Sequence, residues 1–500
     1  MKKLLSMMLV LLFFIVLYGC AEKTTTKIVT LEYYEMTKTI TIGQIPLEAN
    51  DLISMISLGG THSIALSSKG RVFSWGNNAK GQLGDGTSTR KLTPVEITNQ
   101  FDLAEDEVIS FITLGERHSA ALTSKGRLFT WGWNFYGRLG NGTTTSSLFP
   151  IDITSHFNLH SNEVITEVSL GVSHSSAITS EGRVFTWGDN AGGQLGDGTL
   201  SNKSSPMDIT AKLNLSSGEK AISISLGYVH SAVLTTEGRV FTWGNNTYGQ
   251  LGNGTNNIQV NPVDITTHFS LSTGEKIKSI NLGEYHGIAV TSNNRVFTWG
   301  NNLKGQLGDG SNVNQSTPTE ITNQFNLTTN ETIELMSLGI SHSIVVTSEE
   351  RVFAWGDNSN GQLGDGTNVN QSSPKDITSQ FNLVSQEKFR LLSLGESHST
   401  LLTTYGKIII WGDNVDGKLG DNTTSDTLTP LEITFINTSA TLLKSENLNL
   451  DEVFYLYTPE MEGFIFDGWF EDQGLSIPFG TTVLNPTSNL SLYGEWILED

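Results

Sequence analysis

Seven histidines stand 56 residues apart, at His62, His118, His174, His230, His286, His342 and His398. Imidazoles bind metals and carry protons near neutral pH, so a ring of seven could hold a metal or run acid–base chemistry. Seven tryptophans keep the same interval, at Trp75, Trp131, Trp187, Trp243, Trp299, Trp355 and Trp411, and could frame a ligand cage. A residue that recurs in every unit serves the unit, whereas a site breaks the symmetry. Each histidine is therefore expected to close a tight turn by hydrogen-bonding backbone groups of its own unit. Each tryptophan is expected to wedge between neighbouring units, where a large apolar side chain is needed.

Other chemistry is sparse. Loops such as Trp187-Gly188-Asp189-Asn190 and Trp355-Gly356-Asp357-Asn358 lack the alternating ligands and closing carboxylate of a calcium loop, and read as turn formers. There is no Gly-x-Ser-x-Gly elbow, no His-Glu-x-x-His and no phosphate loop. No catalytic residue, metal or cofactor is expected. The informative positions are those where the units disagree. Unit two carries Glu116, Arg117, Trp133, Phe135 and Tyr136; unit four carries Tyr228 and Tyr248; unit five carries Tyr285. Exposed aromatics beside an arginine are the composition of a binding hot spot.

These residues need a scaffold, and unit two shows it. Val108 to Gly115 reads as a first strand, His118 to Thr123 as a second, Arg127 to Trp131 as a third and Ile151 to Thr154 as a fourth. Four strands per unit make a propeller blade, and this order puts the histidine turns and the post-tryptophan loops on one face. The expected fold is all-β, a seven-bladed β-propeller over residues 51–434. The hairpin between second and third strands ends in Gly at 70, 126, 182, 238 and 406, where a positive φ is required. Asn294 tolerates that conformation and Glu350 does not, so a differently shaped turn is expected at 348–350. The ring is expected to seal by sharing one blade between strands from both chain ends, with Ile45 to Glu48 as an alternative partner.

The repeated Gly-Gln-Leu-Gly (81–84, 193–196, 249–252, 305–308, 361–364), with Leu-Gly-x-x-His-Ser (58–63, 394–399) and Gly-Arg-Val-Phe-x-Trp-Gly (70–76, 182–188, 238–244), resembles the repeat of the regulator-of-chromosome-condensation family. The resemblance spans roughly residues 51–434 and implies a seven-bladed propeller. Arg138 replaces Gln in unit two; Lys418 and Asn422 replace Gln and Gly in unit seven. The chromosome-condensation members of the family act as guanine-nucleotide exchange factors on a small GTPase and touch chromatin. Another branch looks like an exported β-lactamase inhibitor protein that binds its partner through one face.

The termini point outward from the cell. Lys2 and Lys3 precede an apolar run from Leu4 to Leu17, and Leu17-Tyr18-Gly19-Cys20 resembles the bacterial lipobox. That run is short against the ~20 residues needed to span a bilayer. Residues 1–19 are expected to be a lipoprotein signal, Cys20 the lipidated residue, and 20–50 a tether. Cys20 is the single cysteine, so no disulfide forms within the chain. In the tail, Gly463 to Phe470 and Asn489 to Trp496 resemble the internalin-type surface repeat, which implies a small β-grasp-like module over 435–500. The formal charge is −21, and loss of Lys2 and Lys3 brings it to −23. Such acidity disfavours nucleic acid and anionic lipid as partners. The expected function is a surface-anchored, non-catalytic propeller that binds a protein partner, membrane-attached through its lipid alone. The alternatives are a glycan or host-matrix adhesin, an exchange factor by family resemblance, and a hydrolase or lyase, which would need an acid–base cluster at the ring mouth.

Overall fold

The computed structural model describes residues 51–433 and Leu47 with side chains, and the backbone of strands in 27–35 and 441–498. Cys20 and the rest of the signal lie outside the described residues. Residues 51–433 form seven four-stranded antiparallel sheets, each built from strands consecutive in the chain. Blade two, for example, comprises Ile109–Leu114, His118–Thr123, Leu128–Gly132 and Ser147–Asp152. The second and third strands are buried throughout, as strands covered on both faces must be. The fourth strand is half-buried and begins before Pro150 rather than after it. An outermost strand has a free edge, so proline costs it no ladder hydrogen bond. Thr154, expected to end that strand, instead opens a short 3-10 turn, Thr154–Phe157, which seats Phe157 edge-on to Trp187 of the next blade.

The core lies between blades. One cluster joins Leu122 and Leu128 of blade two to Ile165, Phe185 and Trp187 of blade three, and the pattern repeats around the ring. Each indole N–H donates to the carbonyl of the Gln-position residue one blade back, as in Trp131 Nε1 to Gln82 O at 2.9 Å and Trp187 Nε1 to Arg138 O at 2.9 Å. The last Gly of Gly-Gln-Leu-Gly lets that indole approach: a Cβ on Gly84 would sit 2.7 Å from Trp131 Nε1. Truncating such a buried tryptophan costs about 3–5 kcal/mol.

Four expectations are corrected. The histidines bond across blades, not within their own. His62 Nε2 lies 2.8 Å from Ser119 Oγ, and His118, His174, His286 and His342 repeat the link. Because the Ser119 hydroxyl itself donates to Gln82 O, His62 Nε2 must be the donor. The link is made by five of the seven: His230 faces Gly287, which offers no hydroxyl, and the ring nitrogens of His230 and His398 have no protein partner.

Second, the turn at 348–350 has the ordinary hairpin shape, with Glu350 at φ 59° and its N–H on Thr347 O at 3.0 Å. The side chain offsets the strain: Glu350 Oε2 accepts from the Phe389 N–H of the next blade at 2.8 Å, as Asn294 Oδ1 does from Ile333 N–H at 2.9 Å. Third, among the described residues no blade mixes strands from the two chain ends. Blade one (from Ile53) packs directly on blade seven (to Ile433) through Trp75 Nε1 to Lys418 O at 2.9 Å and Leu58 N–H to Ser393 Oγ at 3.1 Å. Leu47 contributes to the closing core with Ile408 and Ile433.

Fourth, residues 20–50 are not a tether throughout. Lys27–Glu35 is a strand, as its β-branched and aromatic content favours. It lies in a separate four-stranded sheet between Thr441–Leu450 (antiparallel) and Leu490–Leu498 (parallel), with Phe464–Phe470 at the far edge.

Candidate binding face

First strands end, and second strands begin, at the histidine turns; third strands end at the post-tryptophan loops. Both sets therefore share one face of the disc. At its centre the residue after each Leu-Gly lines a mouth on the axis. Gly60, Glu116, Val172, Tyr228, Glu284, Ile340 and Glu396 stand there, above a floor of leucines. Gly60 is small because Glu116 and Glu396 close over it: a Cβ would lie 2.5 Å from Glu396 Oε1. Burial, then the charges of Glu396 and Glu116, push the Glu284 carboxyl up to about 7. Burial, then Glu116, raises Glu396 as well. Glu284 and Glu396 escaped the sequence reading, although the position after Leu-Gly, read down the units, holds them in plain view. The mouth thus has the carboxylates a hydrolase would need. Its cavity of about 100 Å³, however, falls well below the roughly 300–1,000 Å³ of substrate pockets.

The aromatic candidates fall into two groups, not one patch. Over blades four and five, Tyr285 packs against Tyr228 and Tyr248, with ring centroids 5.4 and 5.2 Å apart. Tyr228 is exposed; Tyr248 and Tyr285 are half-buried in this contact. Over blade two, Trp133 stacks on Phe135 at 5.9 Å, and Phe135 touches Tyr136 at 4.3 Å. Phe135 is 51% and Tyr136 38% exposed; Leu148 and Phe149 of the fourth strand are exposed as well, beside Gly81 and Gly86 of the unit-one loop. Trp133 itself is half-buried, with the Arg138 guanidinium 4.3 Å, Arg117 5.5 Å and Lys80 5.9 Å from its ring. Arg117 also pairs with Glu116 at 3.0 Å. In this acidic chain, three cations around one indole form a local exception.

Arg138 explains the shape of this loop. In the five units that carry Gln, its side-chain oxygen accepts an N–H from the loop, as Gln82 does from Lys80 and Gln250 from Tyr248, both at 2.9 Å. Arginine has no acceptor. The loop presents the opposite group: Phe135 O accepts from Arg138 Nε at 3.1 Å, and Tyr136 takes φ 70°, which the matching residues of the other units do not. The turned peptide goes with the Arg138 bond to Phe135 O and re-aims Phe135 and Tyr136; Lys418, which pairs with Asp413 instead, leaves the matching Asp416 at an ordinary φ. Burial lowers the Arg138 pKa to about 10, still charged at neutral pH.

The seven histidines and seven tryptophans are fully buried and offer nothing to a ligand. One group among the described residues has metal-ligand spacing: His160, Glu163 and Glu181. Glu163 is already engaged there by Arg183 at 2.9 Å and by Thr179.

Seven blades of this kind, each receiving the next blade's indole on a Gly-x-Leu-Gly loop, define a closed repeat propeller with one asymmetric face. The RCC1-like domain matches residues 98–446, and the regulator of chromosome condensation (RCC1) repeat matches 69–122 and 53–82. The chain belongs to the RCC1-like propeller family. It is similar to the ultraviolet-B receptor UVR8 of Arabidopsis thaliana, 31% identical over 369 residues, which is 74% of this chain and 78% of that protein. Among solved structures it resembles human WBSCR16 (TM-score 0.61, 22% identity, 75% of this chain and 97% of that one). It also resembles the complex of Kap60 bound to yeast RCC1, Prp20 (TM-score 0.61, 19% identity, 85% and 91%).

Proposed function

We propose that this chain is a non-catalytic protein-binding propeller, held at the outer surface of a bacterial membrane through lipid on Cys20, and that blade two is the centre of its binding face. The carrying observation is the Trp133–Phe135–Tyr136 cluster, built at the point where the repeat departs most from itself. Large aromatics beside arginines are what binding hot spots are made of. Two relatives agree with the general role: UVR8 is named as an ultraviolet-B receptor, a non-catalytic role, and Prp20 is bound by Kap60. The lipobox-like Leu17-Tyr18-Gly19-Cys20 and the internalin-like tail support the surface setting.

The test is cross-linking of the chain on intact cells, followed by mass spectrometry, with wild type beside a Trp133→Ala/Tyr136→Ala variant. The wild type is expected to yield a defined protein partner and the variant to lose it, about tenfold or more in recovery, with little change in melting temperature. Equal capture by both forms rejects blade two as the centre. Labelling with a palmitate analogue that disappears in Cys20→Ala checks the anchor.

A further inference from the structure

Two units replace the repeat's Gln with a buried cation, and the ring treats them differently. In unit seven, Lys418 Nζ lies 2.6 Å from Asp413 Oδ2, a counter-ion two residues past the tryptophan. In unit two the equivalent position is Trp133. Its indole covers the Arg138 guanidinium where unit seven supplies a carboxylate. Arg138 is completely buried. Its Nε and Nη1 donate to Phe135 O and Val172 O, at 3.1 and 2.8 Å, and its Nη2 has no partner. Among the described residues no carboxylate pairs with it directly: Glu116, engaged by Arg117, and Asp189 act on it only from a distance. A buried, permanently charged group short of a counter-ion is costly, and the cost is relieved by any carboxylate brought to it.

Resting on blade two as the binding face, we propose that the missing counter-ion comes from the partner: an aspartate or glutamate side chain that docks at Trp133 and pairs with Arg138, assisted by Arg117. Trp133 is half-exposed and Arg138 lies beneath it, so the indole must shift for the carboxylate to reach Nη2. Phe135 and Tyr136 then pack on the apolar residues flanking that acid. The partner segment is therefore an acidic residue set among apolar ones, in keeping with a local cationic patch on an otherwise acidic chain.

A random dodecapeptide library on phage, selected against the full chain, tests this. The expected winners carry Asp or Glu next to an aromatic or aliphatic residue. A synthetic winner should bind at least about thirtyfold more weakly when its acid is changed to the amide. Arg138→Gln, which restores the residue of five other units and so should fold, is expected to bind both peptides more weakly as the loop turns back, and to shrink the acid–amide ratio to the few-fold that Arg117 supplies. Winners that need Trp133 and Tyr136 but are indifferent to the acid, or to Arg138→Gln, overturn the counter-ion proposal and leave the binding face standing. Winners unaffected by Trp133→Ala, or no enrichment at all, overturn both.

Discussion

The two faces of the disc are made by the same seven units and have opposite characters. On the face away from the histidine turns, one arrangement recurs. A buried glutamate just before the first strand meets an arginine at the start of the third, and that arginine reaches an acid on the fourth. In blade three, Arg183 joins Glu163 and Asp208, both at 2.9 Å, and lies 4.7 Å from the Phe185 ring. Blades two, four, five and six repeat this, blade one uses Asp51, and blade seven has Lys407 on Glu387. On the other face, the residue after Leu-Gly and those after Trp-Gly change from blade to blade. Recurrence marks what holds the ring; variation marks what the ring displays. Removing a recurrent group should cost stability, and removing a variable one should cost recognition.

The largest effect is expected from acid, because it strikes every unit at once. Burial lowers the imidazoles from their ordinary 6.5 to about 3 for His62, His174, His230 and His286, and to about 4 for His342. His118 and His398 move the same way. The unfolded chain takes up these protons below pH 6.5 and the folded chain does not. The stabilisation is thus complete above 6.5 and is lost as pH falls toward the folded values. By pH 5.5 the loss is about 1 kcal/mol for each imidazole and several kcal/mol for the set. Urea denaturation at pH 7.5 and 5.5 reads it directly; an unmoved midpoint would mean the rings are not held neutral.

Next in size is a pair of substitutions, one on each face. Arg183→Ala strands Glu163, whose carboxyl burial alone would raise but which Thr179, the His160 N–H and Arg183 together hold low. The expected cost is about 3 kcal/mol, with partner binding retained. Trp133→Ala removes a half-exposed indole and is expected to cost about 1 kcal/mol or less while binding is lost. Equal melting temperatures for the two variants would erase the distinction between the faces.

The fold was legible because interval survives divergence: one spacing accounts for seven tryptophans and seven histidines without any alignment. What failed was distance across units. Nothing within one 56-residue unit says whether His62 reaches its own turn or Ser119, since repeated neighbours offer the same groups at either place. The candidate face was half legible. Arg117 and the 133–136 loop stand out by composition, but Arg138 shows in the sequence only as a replacement of Gln. Its effect needs the knowledge that Gln there serves as an acceptor. The strand at Lys27–Glu35 was missed because its pairing partners lie more than 400 residues away in the tail, beyond any local pattern.

The smallest effect tests a turn at which the recurrent face itself varies. Glu350 and Asn294 sit where five units have glycine, and each returns a hydrogen bond to the next blade's backbone. Strain and bond are of similar size, about 1–2 kcal/mol each. Glu350→Gly removes both and should leave the melting temperature within a degree or two. Glu350→Ala keeps the positive φ and loses the bond to Phe389, so it should be about 1 kcal/mol less stable than Glu350→Gly. If alanine and glycine prove equal, the side chain contributes nothing across the blades. Position 350 would then be a tolerated lapse in the repeat, and not a second way of building the same turn.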